Sequence, residues 1–214
     1  MAASTTHSIT LQGSASIIHE YLKYSINSII FQRGIYPSSD FLPEDYNGVP
    51  VMVSRDKRIK TYLDNVLSKV HDLIMKRMIT MISVCIITVE TIEIVERWDF
   101  NITPQYDDNA GEGKENATTS SKSLPKIQKE IRDIMRQILA SISFLPSLED
   151  RCSFDVILHT KGDVDREMPG MMEEFHEEVI DSFEITDAQT VVLKQFSTGL
   201  DKVETKVVYR TLDP

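Results

Sequence analysis

Three short patterns in this chain have residue types that can do chemistry. Ser54-Arg-Asp-Lys57 matches the S-x-x-K arrangement of a serine nucleophile with a nearby lysine. Glu173, Glu174, Glu177 and Glu178 cluster carboxylates in a way that can serve acid–base work. Gly111-Glu-Gly113-Lys114 has the glycines and the lysine of a phosphate loop. None has the context its chemistry needs. Ser54 stands where the helix that follows it needs a cap. The glutamates read as solvated charge, or as an electrostatic surface for a basic partner. The glycine segment lacks the full loop spacing and a following apolar helix, so it reads as linker. His7, His19, His71, His159 and His176 are scattered, and no His/Cys pair has metal-ligand spacing. The expectation is a protein that is not an enzyme and uses no cofactor or metal.

Hydrophobic periodicity outlines the elements that would position a binding surface. Ile18, Leu22, Ile26 and Ile29 recur at helical spacing, widened by Ile17, Tyr21 and Ile30. Ser14 is the expected N-cap and Gly34 the C-terminal stop. His19, Glu20, Lys23, Asn27 and Gln32 form the polar face. Asn47-Gly48 predicts a hairpin turn between short strands. A second helix is expected over 55–78, capped by Ser54, with Asp56 near its positive end. Ile79 to Val89 is apolar on both faces and reads as a central strand. In the next strand, Ile92, Ile94, Trp98, Phe100 and Ile102 face one way, with Glu96 an exception.

The span 103–123 is low in complexity and expected to be a mobile surface loop. Its hydroxyl cluster comprises Thr118, Thr119, Ser120, Ser121 and Ser123. A third helix over 124–145 turns Ile127, Ile131, Ile134, Ile138 and Ile142 inward, which aims Arg136 and Gln137 outward. Cys152 to Thr160 alternates as a third strand. The remainder, 161–214, carries strand-like pieces at Thr190 to Phe196 and Lys202 to Arg210. The expected fold is α+β: three helices on a three-stranded antiparallel sheet, followed by a β-rich tail.

Composition narrows the function classes. At 214 residues one domain is the default. A net charge of −10 disfavours direct nucleic-acid binding and anionic membrane surfaces. No signal-peptide pattern opens the sequence, and its longest apolar run, Met78 to Val89, is too short to span a bilayer. The glycosylation sequons at Asn101 and Asn116 are idle without secretion. Cys85 and Cys152 are expected to be reduced, buried thiols.

Sheet arithmetic supplies one binding expectation. With 79–89 central, 92–102 and 152–160 are the edges, and each edge presents unpaired N–H and C=O groups. One tail cannot cover both edges with the same residues. The other edge is then open to an extended peptide by strand addition, although a static cap on one edge is the simpler alternative.

Four segments carry a family resemblance: ITLQGS from Ile9, NSIIFQRGIYP from Asn27, IVERWDFNI from Ile94, and IRDIMRQILASISFLPSLEDRCSFDV from Ile131. In this order they resemble HORMA-domain proteins of the spindle-assembly-checkpoint type. The resemblance implies one HORMA domain over 1–214, with a core of about 9–160 and a C-terminal safety belt of about 161–214. It implies that the belt moves from the strand at 152–160 to the strand at 92–102. A partner peptide then takes the vacated edge: Ser153, Phe154, Asp155, Val156, Ile157, Leu158 and His159. Leu11, Trp98, Val203, Val207 and Tyr209 would belong to the conformational switch, and Arg136, Gln137 and Phe144 to an open–closed self-dimer.

The partners implied are an activator of the anaphase-promoting complex, which the protein would inhibit, and a coiled-coil kinetochore receptor. An ATP-driven remodelling enzyme with its adaptor would act on the N-terminus. Nucleus, kinetochore and cytoplasm are the implied locations. The alternative is a HORMA adaptor in translesion DNA synthesis or meiotic axis assembly.

Overall fold

The computed structural model describes residues 8–105, 119–161 and 183–211. The acidic cluster at 173–178, the glycine segment at 111–114 and most of the expected loop lie outside them.

A two-residue strand, β1 (Ile9–Thr10), leads into α1 (Leu11–Gln32). The cap is Thr10, whose side chain accepts the Gly13 N–H at 3.1 Å, and not Ser14 as the sequence suggested. Ser14 is instead buried one turn in, facing the C-terminal hairpin. The helix ends in a Schellman motif: Ile35 N–H donates to Ile30 C=O at 3.4 Å and Gly34 N–H to Phe31 C=O at 3.1 Å. Gly34 takes φ +64°, as expected of a C-terminal stop.

Strands β2 (Phe41–Tyr46) and β3 (Val49–Ser54) form the expected hairpin, with Asn47 and Gly48 both at positive φ. This hairpin covers part of the supposed polar face of α1. Asn27 is therefore buried, accepting Ser54 N–H at 2.9 Å and donating to Lys23 C=O at 2.8 Å. Helix α2 (Lys57–Met75) is capped by Asp56, which accepts Arg58 N–H at 2.7 Å. Ser54 accepts Asp56 N–H at 3.2 Å, so it supports the cap without being it.

The main sheet starts with β4 (Ile79–Thr88) and β5 (Ile94–Pro104). Ile92 is in the turn between them at φ +57°, 54% exposed, so the inward alternation begins at Ile94. The short β6 (Thr119–Ser120) pairs with β1, turning the end of the expected loop into ordered structure. Helix α3 (Leu124–Ala140) passes into a 3-10 turn at Ser141–Ser143. The tighter winding there turns Ile142 out to solvent, at 52% exposure, where an α-helical stripe would bury it. Three strands complete the sheet: β7 (Cys152–Thr160), β8 (Ala188–Ser197) and β9 (Asp201–Arg210).

The order is β7-β4-β5-β9-β8, antiparallel throughout. Among the described residues the sheet therefore has five strands, two supplied by the tail. Its helix side carries Val84, Ile86, Trp98, Phe100, Val156, Val203 and Val207, all buried. Glu96, the exception in that apolar row, shares the face. It is 1% exposed, 2.9 Å from Arg33 Nε, and accepts the Trp98 indole N–H at 2.7 Å. Burial raises its pKa against the opposing pull of Arg33 and Trp98.

Gly34 has open space where a Cβ would lie. Gly34→Ala should cost about 1 kcal/mol through the left-handed backbone alone, read as a lower denaturant midpoint with an unchanged m-value.

Candidate functional site

Among the described residues β7 pairs on one side only, with β4. Lys161 N–H donates to Met78 C=O, so odd-numbered residues near this end turn their backbone inward and even-numbered ones outward. The outward row is Phe154, Val156 and Leu158. Its middle donor is already engaged: Val156 N–H reaches the Tyr62 hydroxyl at 3.0 Å and Asp155 Oδ1 at 2.7 Å. The Tyr62 hydroxyl in turn donates to Asp155 Oδ1 at 2.6 Å. Burial first, and the Asp155 carboxylate second, push the Tyr62 phenol upward, which keeps it a donor. Tyr36 and Tyr62 hold the Phe154 ring edge-on, with centroids 6.1 and 5.7 Å away. This edge is thus a strand lined by an aromatic shelf, with a side chain standing where a second strand's carbonyl would pair.

The expected edge residues separate by side. Val156 and Leu158 are buried under the helices. Asp155, Ile157 and His159 lie on the other face, and Ser153 is exposed. Tyr62 was not anticipated as part of this edge. Its only signal was an aromatic side chain at the margin of the α2 stripe.

The opposite flank of the core, β5, is covered by β9. Their register sets Trp98 against Val207, Ile102 against Val203 and Glu96 against Tyr209. Tyr21 of α1 donates or accepts at Thr205 over 2.8 Å and meets the Phe196 ring at 4.9 Å. Lys206 lies 3.4 Å from the fully buried Asp99, and Arg210 lies 3.1 Å from Glu93. Each of these contacts exists only with the hairpin on this flank.

The expected interface residues fall near the same hairpin. Arg136 is exposed on α3. Gln137 accepts Lys194 N–H of β8 at 2.7 Å. Phe144, 42% exposed, tilts against Tyr209 at 6.2 Å. Leu11 opens α1, directly after the β1–β6 pair.

On the outer face of the sheet Ser83 donates to Asp99 at 2.6 Å and lies 3.1 Å from His159 Nε2. The serine stands between the other two, whereas a catalytic triad needs the base between nucleophile and acid. Asp99 serves Arg97 and Lys206 instead. Over this cluster lies Phe183: its carbonyl accepts from Arg97 at 2.5 Å, and its ring faces the Arg97 guanidinium at 4.1 Å and the His159 ring at 5.1 Å. Phe183 thus links β5 and β7, and it was not anticipated.

Cys85 is buried, its thiol pushed up to about 12 by burial; Cys152 is half-buried, and both are free. No group of three metal-ligating side chains occurs among the described residues, and no described helix is long and apolar enough to cross a membrane. Two clefts among the described residues are small, about 120 Å³ beside Arg33 and Glu96 and about 310 Å³ between α1, α2 and the β2–β3 hairpin. They fall at or below the lower end for small-molecule sites.

The HORMA domain family profile matches residues 14–201. The human mitotic spindle assembly checkpoint protein MAD2A is 38% identical over 207 residues, covering 97% of this chain and 95% of that protein. A chain in the crystal structure of the mitotic checkpoint complex superposes with a TM-score of 0.76 at 32% identity, over 93% of this chain and 99% of that one. HTP-2 of C. elegans, solved with a HIM-3 closure motif, gives a TM-score of 0.73 over 95% of this chain and 93% of that one. Its identity is 12%, a likeness of fold alone.

Burial is the main cause that lowers the pKa of His159 from 6.5; Asp99 opposes it and Arg97 adds to it. Between the lowered value and 6.5 the unfolded chain binds more protons, so this contribution is whole above pH 6.5 and lost as pH falls. Stability should therefore drop as pH falls through 6.5 and below, and His159→Gln should flatten that part of the denaturant-midpoint profile.

Proposed function

We propose, from the premise that this chain belongs to the HORMA-domain family, that it is a spindle-checkpoint protein that captures a partner peptide by open-to-closed conversion. The observation that carries the reading is the sheet order: the C-terminal hairpin occupies the β5 flank, and among the described residues β7 has no strand on its outer side. An extended peptide added to β7 supplies acceptors for the outward N–H row, displacing the Tyr62 hydroxyl from Val156, and places alternate side chains against Phe154 and its tyrosine shelf. The belt is the span of about 161–214, with the core at about 9–160. Release of a captured segment then requires local unfolding of the hairpin, which makes dissociation slow.

In this reading the chain restrains anaphase by binding the activator of the anaphase-promoting complex. A coiled-coil kinetochore receptor presents it, and an ATP-driven remodeller with its adaptor resets it. It works at kinetochores, in the nucleus and in the cytoplasm, without enzymatic chemistry. Arg136, Gln137 and Phe144 form the contact between open and closed copies, while Leu11, Trp98, Val203, Val207 and Tyr209 set the balance between the two states. The identity and coverage of the checkpoint relatives favour this reading over an adaptor of translesion synthesis or the meiotic axis.

A chain ended at residue 199 loses β9 and with it the hairpin, so it should select no peptide from a library that the full chain does. Selection of the same peptides by both would refute the belt mechanism. Arg136→Glu should convert a concentration-dependent dimer into a monomer in sedimentation; an unchanged dimer removes α3 from the contact.

A further inference from the structure

The turn joining β8 to β9 is the most completely enclosed part of the C-terminal hairpin. Thr198, Leu200 and Asp201 are each at most 1% exposed, unusual for a hairpin tip that also carries a carboxylate. Its walls come from distant parts of the chain. Ser14 in the first turn of α1 donates to Asp201 Oδ2 at 2.6 Å and lies 2.6 Å from the Thr198 hydroxyl. Arg77, just beyond α2, pairs with Asp201 Oδ1 and reaches Leu200 C=O at 3.4 Å. Gln105 N–H donates to Leu200 C=O at 2.8 Å. Above the turn lies Ser120 of β6, so close to Gly199 that a Cβ there would overlap its side chain; Gly199 is also at φ +87°.

The electrostatics of this socket are one-sided. Asp201 is 1% exposed in its side chain, while Arg77 keeps 24% of its own surface in contact with solvent. With the hairpin docked, the carboxylate has given up its water and depends on Arg77 and Ser14. Once undocked, it regains water. Removing Arg77 therefore penalises only the docked arrangement. The Arg77 backbone is itself fixed at φ +59°, and its N–H returns to Ile74 C=O at 3.0 Å.

We infer that Arg77, with Ser14, is the positioning latch that holds the C-terminal hairpin on the β5 flank by receiving the buried carboxylate of Asp201. The inference rests on the belt reading for its meaning, and it adds residues outside the belt that set where the belt stays. Arg77 belongs to the short link between α2 and β4, and Ser14 belongs to α1. The latch therefore lies at the end of the hairpin remote from the Tyr209 and Arg210 end, and it ties the belt to the helical layer as well as to the sheet.

The test is amide hydrogen exchange on the full chain without peptide, comparing β9 with β4 as an internal reference. Arg77→Met should speed exchange in β9 by roughly 10- to 100-fold while β4 stays slow, the lower part of that span reflecting the partial exposure of Arg77. Ser14→Ala, a milder change, should speed β9 by about 5- to 10-fold. Arg77→Met combined with Asp201→Asn should bring β9 back to within about threefold of the parent, because no charge is left to bury. Gly199→Ala, which blocks docking sterically, supplies the undocked reference rate.

Unchanged β9 exchange in Arg77→Met overturns the inference. So does an equal rise in β4, or a double variant as fast as Arg77→Met alone, since either assigns the loss to packing. No peptide enters the measurement. A failure of the latch is therefore read separately from a failure of peptide capture, which the library selection reports.

Discussion

A β-sheet with a free flank is incomplete: every second residue along it offers a backbone donor and an acceptor with no partner in the sheet. The core here, β7-β4-β5, has two such flanks, and the C-terminal hairpin is long enough for one. With β9 on β5, the β5 row is satisfied over nine residue pairs and its helix-side face is closed by Val203, Thr205 and Val207. The demand is thereby transferred to β7. Among the described residues that transfer leaves β7 as the core flank without a strand partner, and the Tyr62–Asp155 pair is the local answer to it.

The hairpin is held by more than its ladder. Its inward side chains join the core, as Phe196 does against Tyr21, and its polar groups find partners in the core strands and helices. Asp99 collects Ser83, Arg97 and Lys206 at full burial near the middle of β9, and Asp201 collects Ser14 and Arg77 at its start. Buried charges of this kind add little net stability when compared with apolar packing, but they are costly when mismatched. Their effect is to specify register. A slip of one residue would turn Val203, Thr205 and Val207 to the wrong face, take Lys206 from Asp99 and strand Asp201.

Much of the architecture is legible in the sequence. The Asn47-Gly48 turn, the stripes of the three helices, the fully apolar β4 and the alternating β9 all follow from local periodicity and turn chemistry, and the structure has each of them. The departures share a cause. Ser14 reads locally as a cap, Asn27 as part of a polar face and Glu96 as an exception in an apolar row, yet each is buried against a partner distant in sequence: Asp201, Ser54 and Arg33. Ser54 has the chemistry of a cap but stands two residues ahead of the one that serves, and the stripe that includes Ile142 is ended by a 3-10 turn.

By itself the sequence determined the elements, the position of the two core-sheet edges, and, through four ordered segments, the likeness to a family. Which edge the hairpin covers was decided only in the tertiary structure. So were Tyr62 standing at the open edge, Phe183 bridging β7 and β5, and Arg77 meeting Asp201 across 124 positions. The physical reason is that periodicity records what a residue does with its near neighbours along the chain. A sheet flank or a buried carboxylate is satisfied by whatever the fold brings beside it, and that pairing leaves no local trace in either partner.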